Sequence, residues 1–226
     1  MRLLDLYCGE GGASMGYHRA GFEVVGVDNV NHAKRYPFPF VKADALDYLR
    51  EHGHEYDAIH ASPPCQAYSI GTPPEKRALH PDLLAPTRAA LREVGKPYVI
   101  ENVPRAPMYK PIMLCGSMFD LLAFDKYGIL LALRKHRLFE SNYRLFPPGP
   151  CRHDKNIAVG GVYGGGRDDR GEAHYDRRGG YSPAKHAREG LMGIDWMSMK
   201  GLSQAIPPVY TQYLGDQLLA VVEAVA

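Results

Sequence analysis

The chain has 226 residues, 45% of them hydrophobic and 23% charged, with a formal net charge of +2. That length holds one large domain, or one domain with a small lobe, and buries core enough to stand without disulfides or a metal. The balance of 27 Lys and Arg against 25 Asp and Glu excludes a polybasic coat protein and an acidic disordered chain, but not a local basic surface for nucleic acid.

In chain order, short apolar runs alternate with helical stretches, the pattern of a mostly parallel sheet with crossover helices. Strands are predicted at 3–7, 23–28, 40–43, 57–61 and 98–101, and helices at 13–20, 44–52 and 82–94. In the last helix Leu83, Leu84, Ala90, Leu91 and Val94 share a face. Beyond Asn102 the pattern loosens, with extended segments at 128–134 and 136–143. The stretch 160–181 carries eight glycines among Arg167, Arg170, Arg177 and Arg178. Composition leaves two readings for it, a solvated insertion or a basic contact surface. Order resumes after Gly201, where Pro207 and Pro208 open a helix with Tyr210, Tyr213, Leu214, Leu218, Val221 and Val222 at helical spacing.

The segment Met1-Arg2-Leu3-Leu4-Asp5 reaches an acid too early for a signal peptide, and no apolar run approaches the roughly 20 residues of a membrane span. A soluble, cytoplasmic protein is therefore expected. Cys8, Cys65, Cys115 and Cys151 are far apart and form no CxxC pair. The expectation is a reducing compartment, with neither a disulfide framework nor a metal site.

Ligands of open α/β sheets bind beyond the carboxyl ends of the strands, and the chemistry-bearing residues fall there. The first strand ends in Asp5-Leu6-Tyr7-Cys8-Gly9-Glu10-Gly11-Gly12. Glycines at such a turn serve geometry or let a ligand approach the backbone. Asp28 ends the second strand, where a carboxylate can accept hydrogen bonds from ribose hydroxyls, and Asp44 ends the third, within reach of an adenine amino group. The turn is neither a dinucleotide GxGxxG nor a P-loop, which points to an adenosine without a pyrophosphate. The fourth strand ends in Ser62-Pro63-Pro64-Cys65-Gln66, placing a thiol on a stiffened loop where N–H groups or cations would lower its pKa. The fifth ends in Glu101-Asn102-Val103, and a desolvated carboxyl there would have a raised pKa and could donate a proton near neutrality. Thiol, acid and adenosine pocket together suit methylation of cytosine at carbon 5. The ring is a poor nucleophile until a thiolate adds at carbon 6.

These residues resemble the DNA cytosine C5-methyltransferase family, in order along most of the chain. The resemblance implies a Rossmann-like α/β fold with helices on both faces of a mostly parallel sheet, plus a small recognition lobe. It implies a core over 1–143, a target recognition region over 144–187 and a C-terminal return over 188–226. S-adenosylmethionine is the implied cofactor and S-adenosylhomocysteine the product, held by Tyr7, Cys8, Gly9, Gly11, Gly12, Asp28, Asn29, Asp44, Ala45, Pro64, Gln204 and Ala205. Cys65 carries over as nucleophile and Glu101 as the acid that protonates the base. Arg137 carries over as the residue that holds the cytosine carbonyl, and Lys135 of the same basic strand joins it in the catalytic set, as a contact to the base. The stretch 187–193 resembles the segment that braces the recognition region, and 203–208 the last motif, which closes over the cofactor. Leu133 and Lys135 stand where the family has Gln and Arg, and Gln204 where it has Asn. The implied substrate is double-stranded DNA with a flipped base, with Arg167, Arg170, Arg177 and Arg178 as DNA contacts. A monomer and a restriction endonuclease on another chain complete the implication. Cytosine methylation of RNA and a non-catalytic DNA-binding homologue are the alternatives.

Overall fold

Both faces of the central strands are buried, and mostly apolar, because both are covered by helices. Leu4, Leu6, Val27, Ile59 and Ile100 face one side and Leu3, Val24, Ala58 and Val99 the other. The computed structural model describes residues 1–163, 173–175 and 181–225. Among them β1 (Arg2–Leu6), β2 (Glu23–Asp28), β3 (Phe40–Lys42), β4 (Ala58–Ala61) and β5 (Tyr98–Asn102) run parallel. β6 (Ile112–Leu114) and β9 (Arg137–Ser141) complete a seven-stranded sheet of order β3-β2-β1-β4-β5-β9-β6, in which β9 is antiparallel to both of its neighbours.

The helices are α1 (Gly12–Arg19), α2 (Ala45–His52), α3 (Pro74–Arg77), α4 (Leu84–Val94), α5 (Lys185–Met192), α6 (Met199–Gln204) and α7 (Pro208–Val225). α2 and α4 cover the Leu4 face through Ala45, Leu49, Leu84, Ala90 and Leu91. α1 and α7 cover the other through Tyr17, Tyr210, Leu214, Leu218 and Val222. The Asp44 carboxylate caps α2 by accepting from the N–H groups of Leu46 (2.9 Å) and Asp47 (3.1 Å). Gly95, at φ 73, ends α4 in the left-handed conformation that stops a helix. No helix among the described residues is long and apolar enough to cross a membrane.

A second layer holds β7 (Leu122–Phe124), β8 (Leu130–Ala132) and β10 (Ala158–Val159) in a sheet of order β10-β8-β7, and β11 (His174–Tyr175) pairs with β12 (Tyr181–Ser182). Leu131, Leu133 and Val162 pack there on Ala187, Leu191 and Met192 of α5 and on Leu202 of α6. This small lobe thus takes strands from before residue 143 as well as after it. The extended segment expected at 128–134 narrows to β8, and Leu133, just beyond it and only 2% exposed, packs in the same core as Leu131. The strands that sequence reading misses are two or three residues long, too short for a period-2 pattern to register. Arg167, Arg170, Arg177 and Arg178 lie outside the described residues.

Gly16 sits inside α1, where glycine is a poor helix former. A Cβ there would lie 2.0 Å from Thr211 Oγ1 and 2.1 Å from the Pro208 carbonyl oxygen, so its absence lets α1 and α7 touch backbone to backbone. Thr211 locks the contact by donating to the Ala13 carbonyl at 2.9 Å. Asp5, fully buried on the α1 face of β1, accepts from the Ser14 hydroxyl, which in turn accepts from Tyr36 at 2.8 Å. Burial lifts the Asp5 carboxyl from its ordinary 3.8 to about 7, against the opposing Ser14 bond.

Two outcomes are expected. Gly16→Ala overpacks the α1–α7 contact and lowers unfolding free energy by about 1–3 kcal/mol, and an unchanged denaturation midpoint would refute that contact. For Asp5 the folded pKa is raised, so its stabilisation is complete below the unfolded value and is lost as pH rises through about 7. Asp5→Asn should flatten the decline in stability between about pH 4 and about pH 7. Parallel wild-type and variant midpoints across that range would contradict the assignment.

Candidate active site

The strand order reverses between β1 and β4, and such a switch point opens a crevice at the strands' carboxyl ends. The β1 loop bends through left-handed residues at Tyr7 (φ 59), Gly9 (φ 53) and Gly11 (φ 90). A Cβ at Gly9 would meet nothing within 4 Å, so this part of the loop lies open to a ligand. The Gly9 N–H donates to Asp28 Oδ2 at 3.1 Å, and the Val30 N–H to Oδ1 at 2.9 Å, which fixes the Asp28 carboxylate beside the open loop. Gly11 and Gly12 have another reason. A Cβ on Gly11 would lie 2.9 Å from Pro37 Cδ, and one on Gly12 would lie 2.7 Å from the Ile206 carbonyl and 3.0 Å from Ala205 Cβ. Gly12 therefore seats the segment after α6 against the start of α1.

The remaining residues expected around this pocket divide. Asn29 and Asp44 are exposed beyond β2 and β3, and Gln204 is exposed at the end of α6. Ala45 is buried in the core under α2, and the Cys8 thiol is buried too. The Tyr7 hydroxyl pairs with Thr87 Oγ1 of α4 at 2.9 Å. Glu10, outside the expected set, clamps the rim. Its carboxylate accepts from the Ser198 N–H and hydroxyl, both at 2.6 Å, and its carbonyl accepts from the Trp196 indole at 2.9 Å.

The second part of the site lies at the ends of β4 and β5 and the start of β9. Asn102 donates to the Pro63 carbonyl at 3.1 Å and so ties the Pro63-Pro64-Cys65 loop to β5, while the Cys65 carbonyl accepts from the N–H groups of Tyr68 and Ser69. Arg137 Nε stands 2.9 Å from Glu101 Oε1, both side chains largely buried. Burial raises the Glu101 carboxyl, while Arg137, Lys135 and a hydrogen bond from Ser62 pull it down. Ser62 ends a buried relay: its Oγ lies 2.9 Å from His60 Nε2, whose Nδ1 lies 2.9 Å from the Tyr17 hydroxyl. His60 is held neutral there, its pKa pushed down to about 3 by burial. Lys135 is fully enclosed and donates to the carbonyls of Ser203 (3.0 Å) and Val162 (3.3 Å). It braces α6 and the lobe, and burial, then Arg137, pushes its ammonium well below the usual lysine range against the pull of Glu101 and Cys65.

Two expectations need correction. The Cys65 thiol is pushed up rather than down, first by burial and then by the Glu101 charge, with Arg137 and Lys135 opposing. Nor are all four cysteines dispersed as their spacing predicts, since Cys115 and Cys151 come together. Folding gathers Cys115, Cys151, His136 and His153 so that their donor atoms all lie within 4.8 Å of one another, a cluster to which the missing CxxC pair gives no clue.

No protein-family profile matches the chain. A type II methyltransferase, M.FnuDI of Fusobacterium nucleatum, is 33% identical over 75 residues, covering 30% of this chain and 22% of that protein. The chain thus matches about a fifth of that relative's length. Among solved structures, a candidate DNA modification methyltransferase encoded within an E. coli prophage aligns with TM-score 0.60 and 16% identity over 99% of both chains. The S. pombe Dnmt2 methyltransferase aligns with TM-score 0.61 and 14% identity, over 98% of this chain and 99% of its own. A methyltransferase of Entamoeba histolytica, EhMeth, aligns with TM-score 0.56 and 12% identity over 98% of both. Strand order, motif order and these alignments agree: the chain has a methyltransferase fold of Rossmann-like type and resembles the cytosine C5-methyltransferases.

Proposed function

We propose that the protein methylates carbon 5 of cytosine in double-stranded DNA, with S-adenosylmethionine as methyl donor. The observation that carries this reading is the convergence of Cys65, Glu101 and Arg137 at the ends of neighbouring strands, beside the open loop of Gly9 and Asp28. That loop fits the cofactor: Asp28 offers a fixed carboxylate for ribose hydroxyls, Gly9 leaves room, and Asp44 is exposed at the next strand end. When bound, S-adenosylmethionine supplies an electrophilic methyl group on a sulfonium.

The chain's own residues prepare the base. Arg137 is placed to hold the cytosine carbonyl oxygen, and Glu101 to give a proton to ring nitrogen 3 while the Cys65 thiolate adds at carbon 6. The resulting enamine makes carbon 5 nucleophilic. After methyl transfer, carbon 5 loses its proton to a base, the carbon–sulfur bond breaks to free the Cys65 thiolate, and ring nitrogen 3 returns its proton to Glu101 as the ring is restored. Protonated Glu101 serves both ends of this step. It carries the proton that the base needs, and it removes the negative charge that opposes ionisation of Cys65. The Ser62–His60–Tyr17 relay and Asn102 act as positioning groups, holding the acid and the thiol loop.

Double-stranded DNA as substrate, a flipped base, a monomeric cytoplasmic enzyme and a partner nuclease all belong to this proposal. A 5-fluorocytosine duplex should trap the chain as a covalent adduct in the presence of the cofactor, and Cys65→Ala should abolish it. Trapping on fluorinated RNA alone would move the substrate to RNA, and tight duplex binding without adduct or product would leave a binding protein. Glu101→Gln should keep duplex affinity and lower turnover by about 10² to 10⁴, measured as methyl transfer from labelled cofactor. Unchanged turnover would remove Glu101 from the mechanism.

A further inference from the structure

Away from the crevice, the end of β6, the residue before β9 and the loop that leaves β9 for the small lobe meet in a cluster of four donors. Cys115 follows β6 and is buried. His136 directly precedes β9. Cys151 and His153 lie on the loop between β9 and β10. His153 Nε2 is 2.8 Å from Cys151 Sγ and 3.3 Å from Cys115 Sγ, and His136 Nε2 is 3.4 Å from Cys151 Sγ. The Ser117 hydroxyl stands 3.4 Å from both sulfurs and accepts from the Arg152 N–H at 3.2 Å.

We propose that Cys115, His136, Cys151 and His153 form a structural zinc site. Zinc takes thiolate and imidazole ligands in a tetrahedron, with Zn–S of about 2.3 Å and Zn–N of about 2.0 Å, so its donors lie roughly 3.3–3.8 Å apart. Two of the sulfur–nitrogen separations, 3.3 and 3.4 Å, already match such an edge, and all four donors stay within 4.8 Å of one another. The third, 2.8 Å between His153 and Cys151, is shorter and would open as the ion enters between them. Two sulfurs with two imidazole nitrogens is a soft, tetrahedral donor set that selects zinc over magnesium or calcium. Uptake releases the two thiol protons to solvent, and the two thiolates neutralise the ion's charge. Ser117, whose hydroxyl lies 3.4 Å from both sulfurs, would donate its one proton to a thiolate, Cys115 in the present geometry, and so help to orient it. Four protein ligands leave no open position, so the ion's role is to hold structure and not to activate water.

The position gives the site a purpose. Phe146-Pro147-Pro148-Gly149-Pro150 leads the chain away from the sheet, and the ion would pin the Cys151–His153 loop to β6 and to the residue next to Arg137. Arg134 reinforces the same join by donating to the Asp154 carbonyl at 2.7 Å. The lobe would thereby be anchored one residue from the guanidinium that pairs with Glu101.

The test is metal analysis of the purified, reduced protein after equilibration with zinc sulfate and removal of excess. The expected content is about one zinc per chain, retained in Cys65→Ala and lost in Cys151→Ser and in His153→Ala. Both loop variants should keep the far-ultraviolet circular dichroism of the wild type, because their side chains lie outside the cores. Cobalt(II) chloride added to the metal-free protein should give the intense visible bands of a tetrahedral site with thiolate charge transfer. Folded, reduced wild type that takes up no zinc and gives no cobalt bands would overturn the site. So would zinc content that survives both loop substitutions, or a Cys115–Cys151 disulfide found in the protein as isolated.

Discussion

Glu101 and Arg137 meet across the join where the sheet changes from parallel to antiparallel, and the site's geometry depends on that meeting. Glu101 lies opposite Phe139 in the ladder, and Arg137, two residues away, points from the same face as its diagonal neighbour. In a parallel β9 this guanidinium would stand at the far end of the sheet. The join is secured from the other side, where Arg88 of α4 grips Glu140 with two hydrogen bonds of 2.6 and 2.9 Å. A buried pair of this kind adds little net stability. Its geometry, however, fixes β9 against the helix that covers β5.

Around that pair the buried polar groups form a continuous layer beneath α1. Asp5, His60 and Glu101 occupy strand positions that face α1 rather than the α2–α4 core; Asp5 meets Ser14 of α1, which Tyr36 also reaches, and His60 links Tyr17 of α1 to Ser62 beside Glu101. Partners offset the cost of burying these groups. Helix α1 supplies two of them, Ser14 to one oxygen of Asp5 and Tyr17 to His60, while the other Asp5 oxygen stays without a hydrogen bond among the described residues. On the other side of α1, Gly12 and Gly16 let the helix meet the C-terminal segment closely by yielding their Cβ space to Ile206 and to Thr211. The packing of α1 thus depends on one set of small residues. The C-terminal segment takes part in it, since Glu10 and Gly12 hold it over the loop that offers Gly9.

Several elements were legible before folding for simple reasons. The strands β1, β2, β4 and β5 are buried on both faces, so they read as apolar runs, and each ends where polar residues begin. Asp28, Cys65 and Glu101 could be placed at strand ends from that pattern alone. The short strands β6, β7 and β10 leave no period to detect. Lys135 reads as a base contact, yet burial and two carbonyls make it a brace between α6 and the lobe. Glu10 reads as part of a glycine turn, and only Ser198, far along the chain, reveals it as a clamp.

The sequence by itself determined the alternation of strands and helices, the order of the motifs, and which residue types stand at the mouths of the strands. Those are local properties, set by hydrophobic period and by backbone-breaking residues. Tertiary structure alone decided which groups share an environment. It set the Cys65 thiol against a neighbouring carboxyl, raised Asp5 by burial, and gathered Cys115, His136, Cys151 and His153 from three segments. Proximity between distant residues and the desolvation that shifts a charge both arise from packing, and neither has a signature in linear spacing.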